Sequence, residues 1–287
     1  MATAHHNPLE GDRIGDDGPV RALSTTAGTL RATEYWLTHY LQTWRGNLVS
    51  TFIEPVLYLL AFGLGVGALI EERGTVGGAG GSEFADLAYI DYFAPGLLAA
   101  AVMMAVFFEA AWSVLGGMKY WFGYKAQSTS PLTVTQIIAG HQLFMAGRAM
   151  FNAAVFVGVM FAFGAPQSAL VLLTIPLASV VVWSISGPMA AYSVSRDSDA
   201  TFPAVNRFVI QPMFLFSGTF FPVDQFPTPV AWVARATPLW HGVQLFRSLS
   251  LGTAELVPSL GHIAYLLAWF AVGMVLCTRA YPKPLQT

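Results

Sequence analysis

Apolar stretches of about 20 residues recur along this chain and constrain its fold more than any other feature. A helix of about 20 apolar residues crosses the roughly 30 Å hydrocarbon core of a bilayer. Of the 287 residues, 55% are hydrophobic and only 10% are charged, whereas soluble domains carry about 25% charged residues. The chain lacks the polar surface that a protein of this size needs in water. The sequence therefore predicts an all-α integral membrane protein.

Six membrane spans are predicted from these apolar stretches and the turn residues between them. Residues 28–46 carry aromatic and charged side chains at helical spacing, which is typical of an amphipathic helix lying along the membrane interface. Residues 1–27 are polar and lack the apolar core of a cleavable signal, so we expect a disordered cytoplasmic tail. The spans, within a transmembrane domain at 48–279, are expected at 48–70, 92–115, 141–163, 169–191, 202–220 and 256–278.

The distribution of Lys and Arg favours an arrangement with both termini in the cytoplasm, the C-terminal one comprising residues 280–287. An even number of spans is needed for both ends to share a side, and six satisfies that condition. The cytoplasmic segments would hold Arg31, Arg45, Lys119, Lys125, Arg196, Arg279 and Lys283, and the outer segments Arg73, Arg235 and Arg247.

The segment between the second and third predicted spans, residues 116–136, combines two lysines with three neighbouring aromatic residues. This composition indicates a short amphipathic helix at the cytoplasmic face, although a plain connector stays possible. Ser130 is a suitable N-cap for the next helix, with Pro131 at its first position.

The segment around the fifth span is broken by prolines. Residues 208–222 form an apolar run that contains Pro212 and ends in a Ser-Gly turn before Pro222. Such a run should reach one face of the bilayer and turn back into it. Residues 221–250 are too apolar for a free loop, so we predict short re-entrant or interfacial helices on the outer side.

Polar side chains inside the spans are costly and usually mark function. Arg148 lies at a depth similar to that of Glu54 and Glu109, and we predict that it pairs with one of these acids. The pair could fix helix packing or take part in transport, and the sequence leaves both roles open. The intramembrane candidates are Glu54, Glu109, Arg148 and Asn152, together with Arg207 and Gln211, which share a helix face.

No catalytic site, metal site or nucleic-acid-binding pattern is predicted in this chain. The glycine-rich stretch at 74–82 lacks the lysine of a nucleotide-binding loop. The histidines show no metal-ligand spacing, and a single cysteine, Cys277, cannot form an intrachain disulfide. An ion-coupled secondary exporter and, less favoured, a membrane-embedded glycolipid transferase remain alternatives to an ATP-driven exporter.

The chain resembles permease subunits of the ABC-2 (type V) exporter family, in the branch that contains nodulation lipo-oligosaccharide exporters and daunorubicin-resistance permeases. The resemblance implies six transmembrane helices, an N-terminal interfacial helix, a cytoplasmic coupling helix and outer re-entrant helices before the sixth span. The matching stretches are EPVLYLLAFGLGVG (54–67), YFAPGLLAAAVMMAVFFEAAWSVLGGMK (92–119), SPLTV (130–134), RFVIQPMFLFSGTFFPVDQFP (207–227) and TPLWHGVQLFR (237–247).

The resemblance also implies partners and roles. Two copies of a separate ABC ATPase subunit, which binds ATP and Mg, would drive a dimer of permeases in the bacterial cell membrane, with an identical or related second permease. The cargo would be an amphiphile from the membrane: a glycolipid, a lipid-linked saccharide or a hydrophobic drug. Coupling to the ATPase is expected at Lys119, Tyr120, Trp121, Phe122 and Lys125, and the substrate path or outer gate at Phe214, Phe216, Phe220, Phe221 and Trp240.

Overall fold

The computed structural model describes residues 24–66, 87–282 and 285, without the side chains of residues 43–50, 64 and 66. All regular elements within these residues are helices. Residues 1–23 of the tail predicted at 1–27 lie outside the described residues, as do most of the acidic loop after the first span and the last residues of that span. The end of the predicted tail is helical, because the first helix already begins at Thr25 with Ser24 as its N-cap.

Nine helices are numbered here in chain order. Helix α1 is Thr25–Tyr58 and continues as a π-helix over Leu59–Val66. The others are α2 (Tyr89–Lys119), α3 (Gly123–Ser128), α4 (Val134–Ala162), α5 (Ala169–Val194), α6 (202–216), α7 (Thr228–Arg235), α8 (Pro238–Leu251) and α9 (Leu256–Ala280).

Four helices are long and apolar enough to cross a membrane, namely α2, α4, α5 and α9 in the described part of the chain. Each overlaps one predicted span. The predicted first and fifth spans fall on shorter apolar pieces: Thr51–Gly63 within α1 and its π-helical continuation, and helix α6. Helix α6 ends at residue 216 and reaches only about 22 Å at 1.5 Å per residue. The membrane-protein prediction is confirmed, while the number of six spans stays a prediction.

The predicted division between an interfacial helix at 28–46 and a first span from residue 48 is not seen in the backbone. One α-helix runs from Thr25 to Tyr58. Gly46 lies at the expected boundary, but a single glycine costs a helix only about 1 kcal/mol. Pro55 is the first proline within α1, so no residue near position 47 forces the helix to end.

The predicted cap of the third span is corrected by the structure. Helix α4 begins at Val134, and its N-cap is Thr133 rather than Ser130. The Thr133 hydroxyl accepts a hydrogen bond from the Gln136 backbone N–H, and the Gln136 side chain accepts one from the Thr133 N–H. This reciprocal capping box satisfies two backbone donors at once. The Ser130 hydroxyl instead donates to the Gln127 carbonyl at 2.5 Å.

Helix α2 forms the centre of the bundle. It packs against α4, α5 and α8, and most of its first 20 residues are buried. Helix α9 lies at the periphery against α5, where the backbones approach closely at Gly187 and Gly273. Close approach through small residues is the usual way in which helices pack in lipid, where no hydrophobic effect drives them together.

The segment at 221–250, predicted to lie on the outer side, contains a short 3-10 turn at Val223–Gln225 and the two helices α7 and α8, after a turn at residues 217–222. Thr237 caps α8, Pro238 occupies its first position, and Gly252 ends it with a φ of 75°. Helix α8 packs against α2 and α9 and is largely buried in protein. Its backbone polar groups are therefore satisfied away from lipid, as a non-spanning helix at membrane depth requires.

Candidate functional site

An ion pair joins the two central helices inside the predicted membrane region. Arg148 Nη1 on α4 contacts Glu109 Oε2 on α2, and the two side chains are 25% and 12% exposed. The Arg148 guanidinium also lies over the Tyr40 ring, 4.9 Å from its centroid. The predicted pairing of Arg148 is thus confirmed, with Glu109 as its partner.

The local backbone of α2 changes where Glu109 lies. Residues Glu109–Ser113 form a π-helical turn between two α-helical stretches. Single π-turns inside α-helices are rare and occur frequently at functional sites. The described residues contain two further π-helical segments: Leu59–Val66, which continues α1, and Asn206–Ile210, which carries the candidate Arg207.

Glu54 and Asn152 lie near the ion pair on a shared cavity. The cavity measures about 220 Å³ and lies between α1, α2 and α4. Its polar lining comprises Thr51, Glu54, Arg148 and Asn152, and its apolar lining includes Leu98, Phe108 and Phe156. The Asn152 amide oxygen is buried and has no hydrogen-bond partner among the described residues. This small cavity therefore contains a hydrogen-bond acceptor that has no partner among the described residues, within the predicted membrane region.

Sequence reasoning missed the contacts of His141, which extend the ion pair toward the predicted cytoplasmic end. His141 lies seven residues before Arg148 on α4, and its Nε2 is 3.9 Å from Glu109 Oε1. Its Nδ1 is 2.5 Å from the Tyr124 hydroxyl on α3, and that hydroxyl is 3.4 Å from the Tyr281 hydroxyl. Burial raises the pKa of the Tyr124 phenol well above its usual value, so Tyr124 keeps its proton and can donate to His141.

Aromatic packing holds His141 in this position. The Trp36 ring on α1 stacks on the imidazole with centroids 3.9 Å apart and planes inclined by 14°. The His141 side chain is 2% exposed. When Tyr124 donates to Nδ1, the remaining imidazole proton lies on Nε2. This nitrogen is 3.9 Å from Glu109 Oε1, which is too distant for a direct hydrogen bond. Helices α1, α2, α3 and α4 and the residue after α9 thus meet at one buried group, called here the His141 cluster (Trp36, Glu109, Tyr124, His141, Arg148 and Tyr281).

The turn between α2 and α3 exposes three consecutive aromatic side chains. Tyr120, Trp121 and Phe122 are each more than half exposed. Phe122 has a φ of 54°, which bulky residues rarely adopt. An exposed aromatic patch of this kind marks an interaction surface more often than a free surface. The aromatic turn lies two residues from Tyr124 and hence from the His141 cluster.

The two lysines predicted to act at this turn have different surroundings. Lys119 Nζ is 3.0 Å from Asp197 Oδ1, in the segment that follows α5. Lys125 lies on α3 and is half-buried. Lys119 therefore lies beside the aromatic turn and also contacts the segment that follows α5.

The aromatic candidates on the predicted outer side have four different surroundings. Phe214 and Phe220 pack together and join Phe62 and Phe93, with ring centroids 5.0 to 5.6 Å apart. Phe216 contacts Phe226, and Phe221 is exposed. Trp240 packs against His241 and His262. The structure does not gather these residues into a single path within one copy of the chain.

By sequence, Arg247 was placed in the predicted re-entrant segment without a role, yet it is among the most buried side chains. Its Nε donates to the Tyr92 carbonyl at 3.1 Å, and its Nη2 donates to the Gly218 carbonyl at 2.7 Å. The guanidinium lies 3.7 Å from the centroid of the Tyr92 ring. Gly218 has a φ of 81°, so its carbonyl can face Arg247 and also accept from the Tyr92 hydroxyl. Arg247 thereby ties the turn after α6 to α2 and α8.

The remaining predicted pair lies apart from the His141 cluster. Arg207 is exposed on α6, and Gln211 is half-buried one turn later. The neighbouring Phe208 is 75% exposed, and Val209 and Leu215 are also exposed. The exposed face of helix α6 is therefore mainly apolar and also carries the charge of Arg207.

The four membrane-length apolar helices in the described residues are those of a multi-pass membrane protein. The chain belongs to the ABC-2 type transporter family, which matches residues 34–251. The resemblance seen in the sequence is confirmed. The chain is accordingly a membrane permease of an ABC transporter, and this family generally works with an ABC ATPase subunit.

Relatives named Nodulation protein J match nearly the whole chain. The protein from Rhizobium leguminosarum bv. trifolii is 26% identical over 255 residues, which cover 88% of this chain and 92% of that protein. The protein from Neorhizobium galegae is 26% identical over 273 residues, covering 91% and 98%. The protein from Rhizobium meliloti is 25% identical over 256 residues, covering 88% and 92%.

Proposed function

We propose that this chain is the membrane subunit of an ATP-driven exporter that moves an amphiphilic molecule out of the inner leaflet of a bacterial cell membrane, with both termini in the cytoplasm. The observation that carries the proposal is the connection from the exposed aromatic turn, through Tyr124 and His141, to the Glu109–Arg148 pair. A displacement of α3 changes the contacts of the intramembrane pair without an intervening flexible segment.

The energy comes from a separate ATPase in this proposal. Two copies of the ATPase subunit bind ATP and Mg and close on each other. Trp121 and Phe122 form the surface against which the ATPase docks, since their side chains are exposed on a turn fixed between two helices. Tyr120 extends this surface, and Lys119 and Lys125 supply positive charge beside it. Closure of the ATPase moves α3 as a rigid body, and α4 follows because His141 is held between Tyr124 and Trp36.

A second permease completes the path. The apolar face of α6 around Phe208 and the neighbouring charge of Arg207 are available to a second copy or a related permease. An opening between two such faces would bring Phe214, Phe216, Phe220, Phe221 and Trp240 from each copy toward the outer end of the path. These residues would then act as the outer gate.

Two cavities that meet at Arg148 support an amphiphilic cargo. The polar chamber at Glu54 and Asn152 suits a head group with hydrogen-bonding atoms. A second cavity of about 430 Å³ lies between α1 and α4, with Leu37, Leu41 and Phe151 among its walls and Arg148 at its edge. One molecule could place its polar part in the first cavity and its apolar part along the second. A glycolipid, a lipid-linked saccharide and a hydrophobic drug all fit this division.

The coupling role of the aromatic turn is tested with a purified permease–ATPase complex in proteoliposomes. The Trp121→Ala/Phe122→Ala double variant should keep the protein folded but lose most of the permease-dependent change in ATP hydrolysis. The matched control is Trp232→Ala/Val233→Ala, which removes two side chains of similar exposure from α7 on the predicted outer side. Unchanged coupling in the first variant, or equal loss in both, would contradict the assignment.

A further inference from the structure

A cavity distinct from those at Arg148 opens where three membrane-length helices end. It measures about 880 Å³ and lies between the ends of α2, α5 and α9. Its polar lining includes Lys119, Tyr192, Ser195, Asp197 and Arg279. Its apolar walls are formed by Pro188, Ala191, Val194, Leu276 and Ala280. The cavity therefore combines charged groups at its rim with an apolar interior, at the face that the Lys and Arg distribution assigns to the cytoplasm.

The charges at the cavity are mainly positive. Two cations, Lys119 and Arg279, line it with a single acid, Asp197. Asp197 is fully exposed, and its Oδ1 lies 3.0 Å from the Lys119 Nζ. Arg279 is the second cation of the lining. A third cation, Arg196, lies beside the cavity with its guanidinium 4.5 Å from the centroid of the Tyr192 ring. Asp199, the other nearby acid, accepts a hydrogen bond from Trp112 at 3.2 Å.

An apolar surface leads from the bilayer into this cavity. Helix α9 is the most exposed of the four membrane-length helices. Val272, Leu276 and Arg279 share one face of α9, because they are spaced by four and three residues. Val272 and Leu276 are exposed, so this face of α9 is a continuous apolar surface, called here the α9 track, that ends at the Arg279 guanidinium. An acyl chain lying on the track would bring its head group to Arg279.

We propose that this cavity binds an anionic phospholipid of the inner leaflet. The phosphate lies between Lys119 and Arg279, and one acyl chain follows Leu276 and Val272 along α9. Basic pockets between transmembrane helices on the cytoplasmic side bind anionic head groups because the surface potential and the guanidinium donors act together. The bound lipid connects the end of α2, next to the aromatic turn, with α5 and α9. The proposal uses the predicted membrane orientation but does not depend on which cargo is exported.

Native mass spectrometry of the detergent-purified permease–ATPase complex tests the proposal with two dioleoyl lipids, phosphatidylglycerol and phosphatidylcholine. The wild-type complex should retain phosphatidylglycerol in preference to phosphatidylcholine. Arg279→Gln should weaken phosphatidylglycerol binding about five-fold, and Lys119→Gln/Arg279→Gln about 25-fold, at about 1 kcal/mol for each basic residue. Asp197→Asn should tighten binding, because it removes the one acid of the lining while leaving both cations.

The matched control is Arg235→Gln, which removes a cation from α7 on the predicted outer side and should leave binding unchanged. Thermal unfolding of each variant complex shows whether it is folded, and Arg279→Lys should recover most of the binding. Equal retention of the two lipids, or unchanged binding in the double variant, would overturn the proposal. Displacement of the lipid by millimolar inorganic phosphate would also overturn it, since the site would then be one for free phosphate. Because ATP hydrolysis and export are not measured, these outcomes are separate from the test of the proposed function.

Discussion

Breaking the Arg148–Glu109 pair should reveal how strongly the two central helices depend on it. In Arg148→Met, the Glu109 carboxylate keeps its place on α2, where its side chain is 12% exposed, but loses its charged partner. Removing one member of a buried ion pair costs about 3–5 kcal/mol. The 25% exposure of Arg148 and the adjoining cavities place this site at the lower end of that range, at about 3 kcal/mol.

The reciprocal variant and the double variant separate the interaction between the two charges from the interactions of each charge with its surroundings. Glu109→Gln leaves Arg148 without its acid and should also destabilise the protein, although the Tyr40 ring still faces the guanidinium. The double variant Glu109→Gln/Arg148→Met removes both charges, so its loss of stability should be smaller than the sum of the two single losses. We expect an interaction free energy of about 2–3 kcal/mol from this double-mutant cycle.

The assay is reversible unfolding in mixed micelles with increasing SDS, followed by tryptophan fluorescence, for the wild type and the three variants. The expected order of stability is wild type, double variant and then the single variants. Additive losses in the double variant, or single variants as stable as the wild type, would refute the reasoning that the two charges depend on each other.

Two further substitutions test the buried hydroxyl and the helix contact. Tyr124→Phe removes the hydroxyl that faces His141 at 2.5 Å, so ATP hydrolysis in the reconstituted complex should respond less to the permease, with a stability loss of about 1–3 kcal/mol; coupling equal to that of the wild type would contradict the role given to His141. Gly273→Ala would place a Cβ 2.7 Å from the Gly187 Cα and should lower stability by about 1–3 kcal/mol. Gly261→Ala on the same helix meets no atom within 4 Å and is its control in thermal unfolding; equal stability of the two variants would contradict the close α5–α9 contact.

The ion pair could be predicted from the sequence because its members lie in long, regular helices. Apolar runs give the helices, the rise per residue gives the depth, and charges at a common depth must find partners in lipid. Arg148 and Glu109 satisfy those conditions. The backbone of α2 and α4 then brings them together with little dependence on loop geometry.

The His141 contact could not be predicted in the same way. It depends on the turn between α2 and α3, where Phe122 adopts a φ that its side chain disfavours. Only this turn places the Tyr124 hydroxyl beside the imidazole. The spacing of seven residues predicts that His141 shares a helix face with Arg148, but it does not identify the contact with Tyr124 on α3.

Arg247 shows a second limit of sequence reasoning. The prolines around it indicate broken helices, and an arginine in such a segment is usually assigned to a loop. Its burial arises from tertiary contacts with Tyr92 and with Gly218, which lies in the turn after α6. The sequence near Arg247 contains one indication of its burial, since its neighbours in α8 are mostly apolar.

The dependence on a separate ATPase is the central claim, and transport by purified components measures it most directly. Proteoliposomes would carry the permease alone or with its ATPase partner, and the movement of an NBD-labelled glycolipid and of daunorubicin between leaflets or across the membrane would be followed with ATP or with a proton gradient. The account predicts movement of at least one of these probes only when the ATPase and hydrolysable ATP are both present. Movement by the permease alone under a proton gradient would contradict it.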